Sequence, residues 1–223
     1  MRLDPSESLH IPAAGDRLRV GAAEGGAGWP LRPARVHEAA GAAATTFALA
    51  AAAAVEGEVL WILPSWQRDR PMLQGVADFL CPSRLVFAFV GDAAGILAVM
   101  EEGLRAHAVG LVVAEVPQPI GLTAGRRLQL AAEAGRTPGL CLIAEGAGSH
   151  AAETRWHCQP VFAAEGGMAM HWRLVKNKSG TIGLWNVRWE RRTHRLAVIS
   201  APGRPRDSVP LPVAAEAASG AEG

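Results

Sequence analysis

Residues 85–144 read LVFAFVGDAAGILAVMEEGLRAHAVGLVVAEVPQPIGLTAGRRLQLAAEAGRTPGLCLIA, and this stretch decides the fold. Leu85–Val90, Leu111–Val116 and Leu140–Ala144 are unbroken apolar runs of strand length. Runs without polar alternation belong to parallel strands covered on both faces. Helical periods lie between them. Asp92 can cap a helix that places Ile96, Val99, Met100 and Leu104 on one face. Thr123 can cap a second helix, which runs through Leu128, Ala131 and Ala132 and stops at Gly135. Alternation of this kind predicts an α/β sheet with helices on both faces.

Upstream, Val59–Leu63 (VLWIL) is a further buried strand. Downstream of Ala151 the pattern changes. Met170–Val175 (MHWRLV), Leu184–Glu190 (LWNVRWE) and Arg195–Ile199 (RLAVI) alternate apolar with polar, as half-exposed antiparallel strands do. Lys176–Gly183 and Arg191–His194 are the turn-rich links between them. The predicted architecture is a mostly parallel α/β sheet flanked by helices and ending in an antiparallel meander. One domain, residues 34–199, is expected between a flexible N-terminal segment, 1–33, and a disordered C-terminal tail, 200–223. Were the tail to bind a partner, Val209, Leu211 and Val213 would be its apolar contacts.

The chain has 223 residues, 49% of them hydrophobic, and a net charge of +1, which suits a globular domain and excludes a polyelectrolyte. Cys81, Cys141 and Cys158 are far apart and form no CxxC pair, which argues against a disulfide scaffold and structural zinc. His157-Cys158 has no further ligand at metal spacing, so no metal is expected. Residues 1–16 carry no apolar signal core, and the alanine-rich run Ala42–Val55 is too short to span a bilayer. The expected location is the cytoplasm, with no membrane contact.

Val36–Leu49 (VHEAAGAAATTFAL) stands where a phosphate loop would sit in such a fold. A working loop needs GxxxxGK[ST], whose backbone amides curl round the phosphates while the lysine neutralises charge. Here Gly41 is followed by three alanines and then Thr45-Thr46, with neither second glycine nor lysine. Glu115, near the end of the run Leu111–Val116, stands where an aspartate would hold Mg²⁺. It is equally the solvated end of a buried strand. Gly41, Thr45, Thr46 and Glu115 are therefore expected to be a vestigial nucleotide site, with ATP and Mg²⁺ not expected as cofactors and no catalytic residue assigned.

Of the 22 basic residues 20 are arginine, and the two lysines, Lys176 and Lys178, are one residue apart. They are either a solvated hairpin tip or a compact cationic clamp for phosphate. Trp185, Arg188, Trp189, Arg191, Arg192 and Arg195 form a candidate DNA contact by charge and stacking, or an arginine-rich edge that discourages strand pairing.

Taken in order, these motifs resemble the RecA family of recombinases. Leu174–Lys178 (LVKNK) is very similar to a segment of that family, the Thr45-Thr46 pair matches its phosphate loop, and Leu111–Glu115 resembles its Walker B strand. The departures are as informative. Pro64–Pro71 (PSWQRDRP) holds no counterpart of the family's catalytic glutamate, Val116–Leu122 leaves no room for a long DNA-binding loop, and Glu145-Gly146 replaces its glutamine sensor. This compact, degenerate pattern resembles the ImuA subfamily, RecA-like accessories of the bacterial SOS mutagenesis cassette. VHExxG at Val36–Gly41 and WRL…WxVxWE across Trp172–Glu190 carry that likeness. The resemblance implies a non-catalytic adaptor in translesion DNA synthesis, with a Y-family polymerase homologue and the RecA recombinase as partners and DNA as a further candidate. It also implies that Lys176 and Lys178 act across a subunit interface, on a nucleotide held by a neighbour. A weak ATPase and an SOS-linked inhibitor of cell division are the alternative functions.

Overall fold

The computed structural model describes residues 31–161, 168–178, 180, 182–191 and 195–203, the side chains of 195 and 198–203 excepted. Expectations for the segments 1–30 and 204–223, and for Arg192, lie outside the described residues. Nine strands form one sheet, in the order β3-β2-β4-β5-β1-β6-β7-β8-β9. They are β1 (Val36–Ala40), β2 (Val59–Pro64), β3 (Leu85–Val90), β4 (Leu111–Val116), β5 (Gly139–Ile143), β6 (Thr154–Val161), β7 (Met168–Asn177), β8 (Gly183–Glu190) and β9 (Arg195–Gly203). The first six in that order pair in parallel and the last three add antiparallel, so the mostly parallel sheet with an antiparallel end is as the sequence predicts.

Four helices cover it: α1 (Ala44–Ala53), α2 (Leu73–Ala77), α3 (Ala93–Arg105) and α4 (Leu122–Gly135). The apolar runs have two-sided burial because alternate residues feed two cores. In β4, Leu111 and Val113 join α1 and α2 on one face, while Val112, Ala114 and Val116 join α3 and α4 on the other. The first core extends under the antiparallel strands through Trp156, Met170, Trp172, Leu174, Val187 and Trp189. Phe47 of α1 meets the rings of Trp156 and Trp172, at 5.5 and 4.7 Å between centroids. The alanines of α1 keep helix propensity high while letting the helix lie close to the sheet.

Asp92 caps α3 as expected, its carboxylate accepting from the Gly95 amide at 2.7 Å. Thr123 is not the cap of α4; that helix begins at Leu122 after Gly121. β6 is the strand that the pattern from Met170 onward did not include. It pairs in parallel with β1 and antiparallel with β7, and so joins the two halves of the sheet. Its TRWHCQPV alternation carries a buried threonine at the start and a proline near the end, which obscured the period. Leu31, three residues ahead of the expected domain start, is already buried, and β9 continues to Gly203. Among the described residues, no helix is long and apolar enough to cross a membrane.

Candidate functional site

Ligands of open α/β sheets bind at the carboxyl ends of the strands, and here that edge carries Gly41, Glu115 and Glu145. Gly41 has φ +97°, and a Cβ on it would sit 2.4 Å from the Cys158 carbonyl oxygen and 3.1 Å from Gln159 Nε2. The turn from β1 into α1 is therefore pressed against β6. Two of its amides bond within the protein: Ala43 N–H donates to the Cys158 carbonyl and Ala44 N–H to that of Gly41, both at 3.0 Å. Thr45 is exposed and Thr46 half-buried, and α1 has no side-chain cap. The Ala43 and Ala44 amides are thus committed within the protein.

Glu115 shares a cross-strand row with Leu142 and Ala39, two strands and about 10 Å from β1. Its oxygens accept from Trp61 Nε1 at 2.9 Å and Gln67 Nε2 at 2.5 Å. Burial pushes the carboxyl above the usual range, against the pull of those two hydrogen bonds. The segment 64–71 thus reaches the site with an amide, which cannot accept a proton as a catalytic glutamate would. Glu145, just beyond β5, accepts from His157 Nε2 at 2.9 Å and from Gln159 Nε2 at 3.2 Å. Carboxylates and neutral amides dominate this set, whereas a triphosphate calls for cations.

Lys176 and Lys178 do converge, but on their own chain. Lys176 Nζ donates to the carbonyls of Ser149 and His150, at 2.9 and 2.8 Å, and Lys178 Nζ to that of Ala151 at 2.7 Å. A β-bulge makes this possible. Trp156 faces Leu174 while Arg155 faces Lys176, so one extra residue, Val175, turns Lys176 away from the core face of Leu174. Burial first, then the charges of Arg155 and Lys178, holds the Lys176 ammonium below the ordinary lysine range.

The loop that the lysines hold is organised by a residue whose charge the sequence reading left unassigned. Glu38, 1% exposed on β1, accepts from the Ser149 amide at 2.8 Å and from Arg155 Nε at 2.8 Å, and Arg155 Nη2 donates to the Ser149 carbonyl. His37 beside it is equally buried. The Arg32 carbonyl can only accept, so His37 Nε2 carries the proton at 3.0 Å and Nδ1 accepts from Thr154 Oγ1 at 2.7 Å. Burial lowers the His37 pKa to about 4. The signal for both was available: two ionisable groups inside a strand between apolar neighbours require buried partners.

The proposed DNA contact is not assembled as a stacking surface. Trp189 is 2% exposed, stacks on Phe79 at 4.6 Å and donates its Nε1 to the Asp78 carbonyl. Trp185 packs on Trp156 at 5.4 Å. Both face α1 and α2, whereas strand alternation puts Arg188 on the opposite face. Arg191 pairs with Asp78 at 3.1 Å; Arg195 begins β9. His157 and Cys158 likewise point apart, Cys158 into the core, where burial pushes its thiol well above the usual range. Among the described residues no three His, Cys, Asp or Glu side chains gather to hold a metal.

The fold and this edge define an α/β chain with a closed strand–turn–helix unit in the phosphate-loop position. No family model matches the chain, and no curated protein matches it in sequence.

Proposed function

We propose that this chain is a non-catalytic, RecA-like accessory of SOS-linked translesion synthesis, a degenerate relative of recombinases in the manner of the ImuA subfamily. On this proposal it binds a Y-family polymerase homologue and docks on the recombinase, in the cytoplasm, without turning over ATP. The observation that supports it best is the turn Gly41–Ala44, whose amides at Ala43 and Ala44 bond to the protein's own carbonyls. The carboxylate at Glu115 is held by neutral donors rather than left for a metal.

The lysine pair gives the docking idea its chemistry. Lys176, near the end of β7, and Lys178, just past it, bond to one loop, and a neighbour's phosphate would have to displace the Ser149, His150 and Ala151 carbonyls. An ammonium-to-phosphate bond joins two opposite charges, whereas the present bonds join an ammonium to neutral carbonyls, and that difference is what would drive the exchange. Titration calorimetry of the full chain with MgATP should give no heat, and clear binding would overturn the closed-loop premise. The variant Lys176→Ala/Lys178→Ala should bind ATP-loaded recombinase filaments more weakly than the parent. Equal affinity would remove the lysine clamp from the proposal.

A further inference from the structure

β3 is an end strand of the sheet, paired with β2 on one side only. Its sequence, LVFAFV, contains no charge and no proline. Natural edge strands are usually blunted by such residues, by bulges or by covering segments, because a bare edge templates further pairing. Eight large apolar side chains stand exposed among the described residues, and five of them belong to β3 or to the stretch from the end of β2 through the first residue of α2. These are Val86, Phe89, Trp66, Met72 and Leu73, each 43% to 71% exposed. The segment is near the strand: Ser65 N–H donates to the Val90 carbonyl, and the Arg70 guanidinium lies 4.3 Å over the Phe89 ring.

The direction of the backbone follows from the same hydrogen bond. The Val90 carbonyl points toward β2, and N–H and C=O groups alternate sides along a strand. The backbone groups of Leu85, Phe87 and Phe89 therefore point out of the sheet. An antiparallel copy of β3, related by a two-fold axis through Phe87, satisfies all three: Phe87 faces its own counterpart, and Leu85 faces Phe89 in both directions. The side chains agree with that register. Leu85 and Phe87 pack on the α1–α2 side, and Phe89, two residues further on, shares that side. An aromatic–aliphatic ladder would thus form on one face, with Val86 opposite Ala88 on the other. The strand itself brings no charge to the axis.

We propose that β3 is the interface of an isologous homodimer, in which two copies join edge to edge into one continuous sheet. The five exposed side chains present on the order of 500 Å² per copy, divided between the two faces of the edge. With the strand's backbone added, the area approaches the roughly 800 Å² per partner of a standard interface. A two-fold pairing of this kind closes on itself and consumes the only bare edge it uses, so it does not propagate into a filament.

Light scattering after size exclusion, on the full chain over a wide concentration range, should give twice the 23.4 kDa chain mass. Val86→Lys and Phe89→Lys each place a charge at the contact, on opposite faces, and should yield monomers with unchanged far-ultraviolet dichroism. A second experiment does not depend on losing the dimer. In a Cys81→Ser background, Val86→Cys with Ala88→Cys places thiols on a non-hydrogen-bonded pair, whose Cα separation of about 4.5 Å suits a disulfide. Oxidised glutathione should then give a covalent dimer. A monomeric parent chain, a dimer that survives both lysine variants, or no interchain disulfide would each overturn the proposal.

Discussion

At the scale of single residues, two ionisable side chains on the central strand are the most consequential. His37 is buried and neutral, with a pKa near 4 against about 6.5 in an unfolded chain. The unfolded state therefore binds a proton that the native state refuses, and stability should fall as pH drops from about 6.5 toward 4, by at most about 3 kcal/mol. Above that window His37 contributes no slope. Urea midpoints measured between pH 7.5 and 5 check this, and a flat profile would contradict the burial. Glu38 is the other. Removing its charge with Glu38→Gln leaves Arg155 without its carboxylate and should cost about 3 kcal/mol. Gly41 completes the set: Gly41→Ala combines a left-handed backbone with a clash on the Cys158 carbonyl, and should lower stability by roughly 1–3 kcal/mol. An unchanged melting temperature would mean that the turn can move off β6, reopening the loop to phosphate.

Elements differ in how openly they announce themselves. The apolar strands and the Asp92 cap were legible because burial on two faces and a capping carboxylate leave local marks. The end of α4 was legible as well, though the reason for Gly135 was not: a Cβ there would sit 1.9 Å from the Leu104 carbonyl oxygen. The left-handed residue is Arg136, at φ 53°. Arg136→Gly should therefore stabilise the chain by about 0.5–1 kcal/mol, read as a higher thermal midpoint. The bulge at Val175 left no such mark. It exists because β7 must pair with β6 while delivering Lys176 to a loop held by Glu38, a requirement that comes from three separate elements.

For the whole molecule, the sheet is one hydrogen-bonded unit, and the core beneath α1 and α2 runs from β2 to β9. The parallel and antiparallel parts should unfold together. Tryptophan fluorescence and far-ultraviolet dichroism should report coincident urea transitions, with emission from buried Trp61, Trp156, Trp172 and Trp189 blue-shifted in the native state. Two separated transitions would show that the meander folds independently of the α/β part. Residues meant for one site were dispersed by the same continuity. Trp185 and Trp189 were drawn into the core while Arg188 went to the other face, because neighbours in a strand cannot share a side.

The sequence by itself determined the α/β class, the positions of most strands and two of the helices, and the absence of a phosphate-loop lysine. Each of these is a matter of local period or of residue identity. Tertiary structure decided how those pieces meet: that β6 lies beside β1, that the Gly41 turn closes on Cys158, and that Glu38 and Arg155 gather the loop to which the lysines bond. Those outcomes depend on groups more than a hundred residues apart, brought within hydrogen-bonding distance by sheet pairing. Local preference carries no record of such a distance until the strands have found their order.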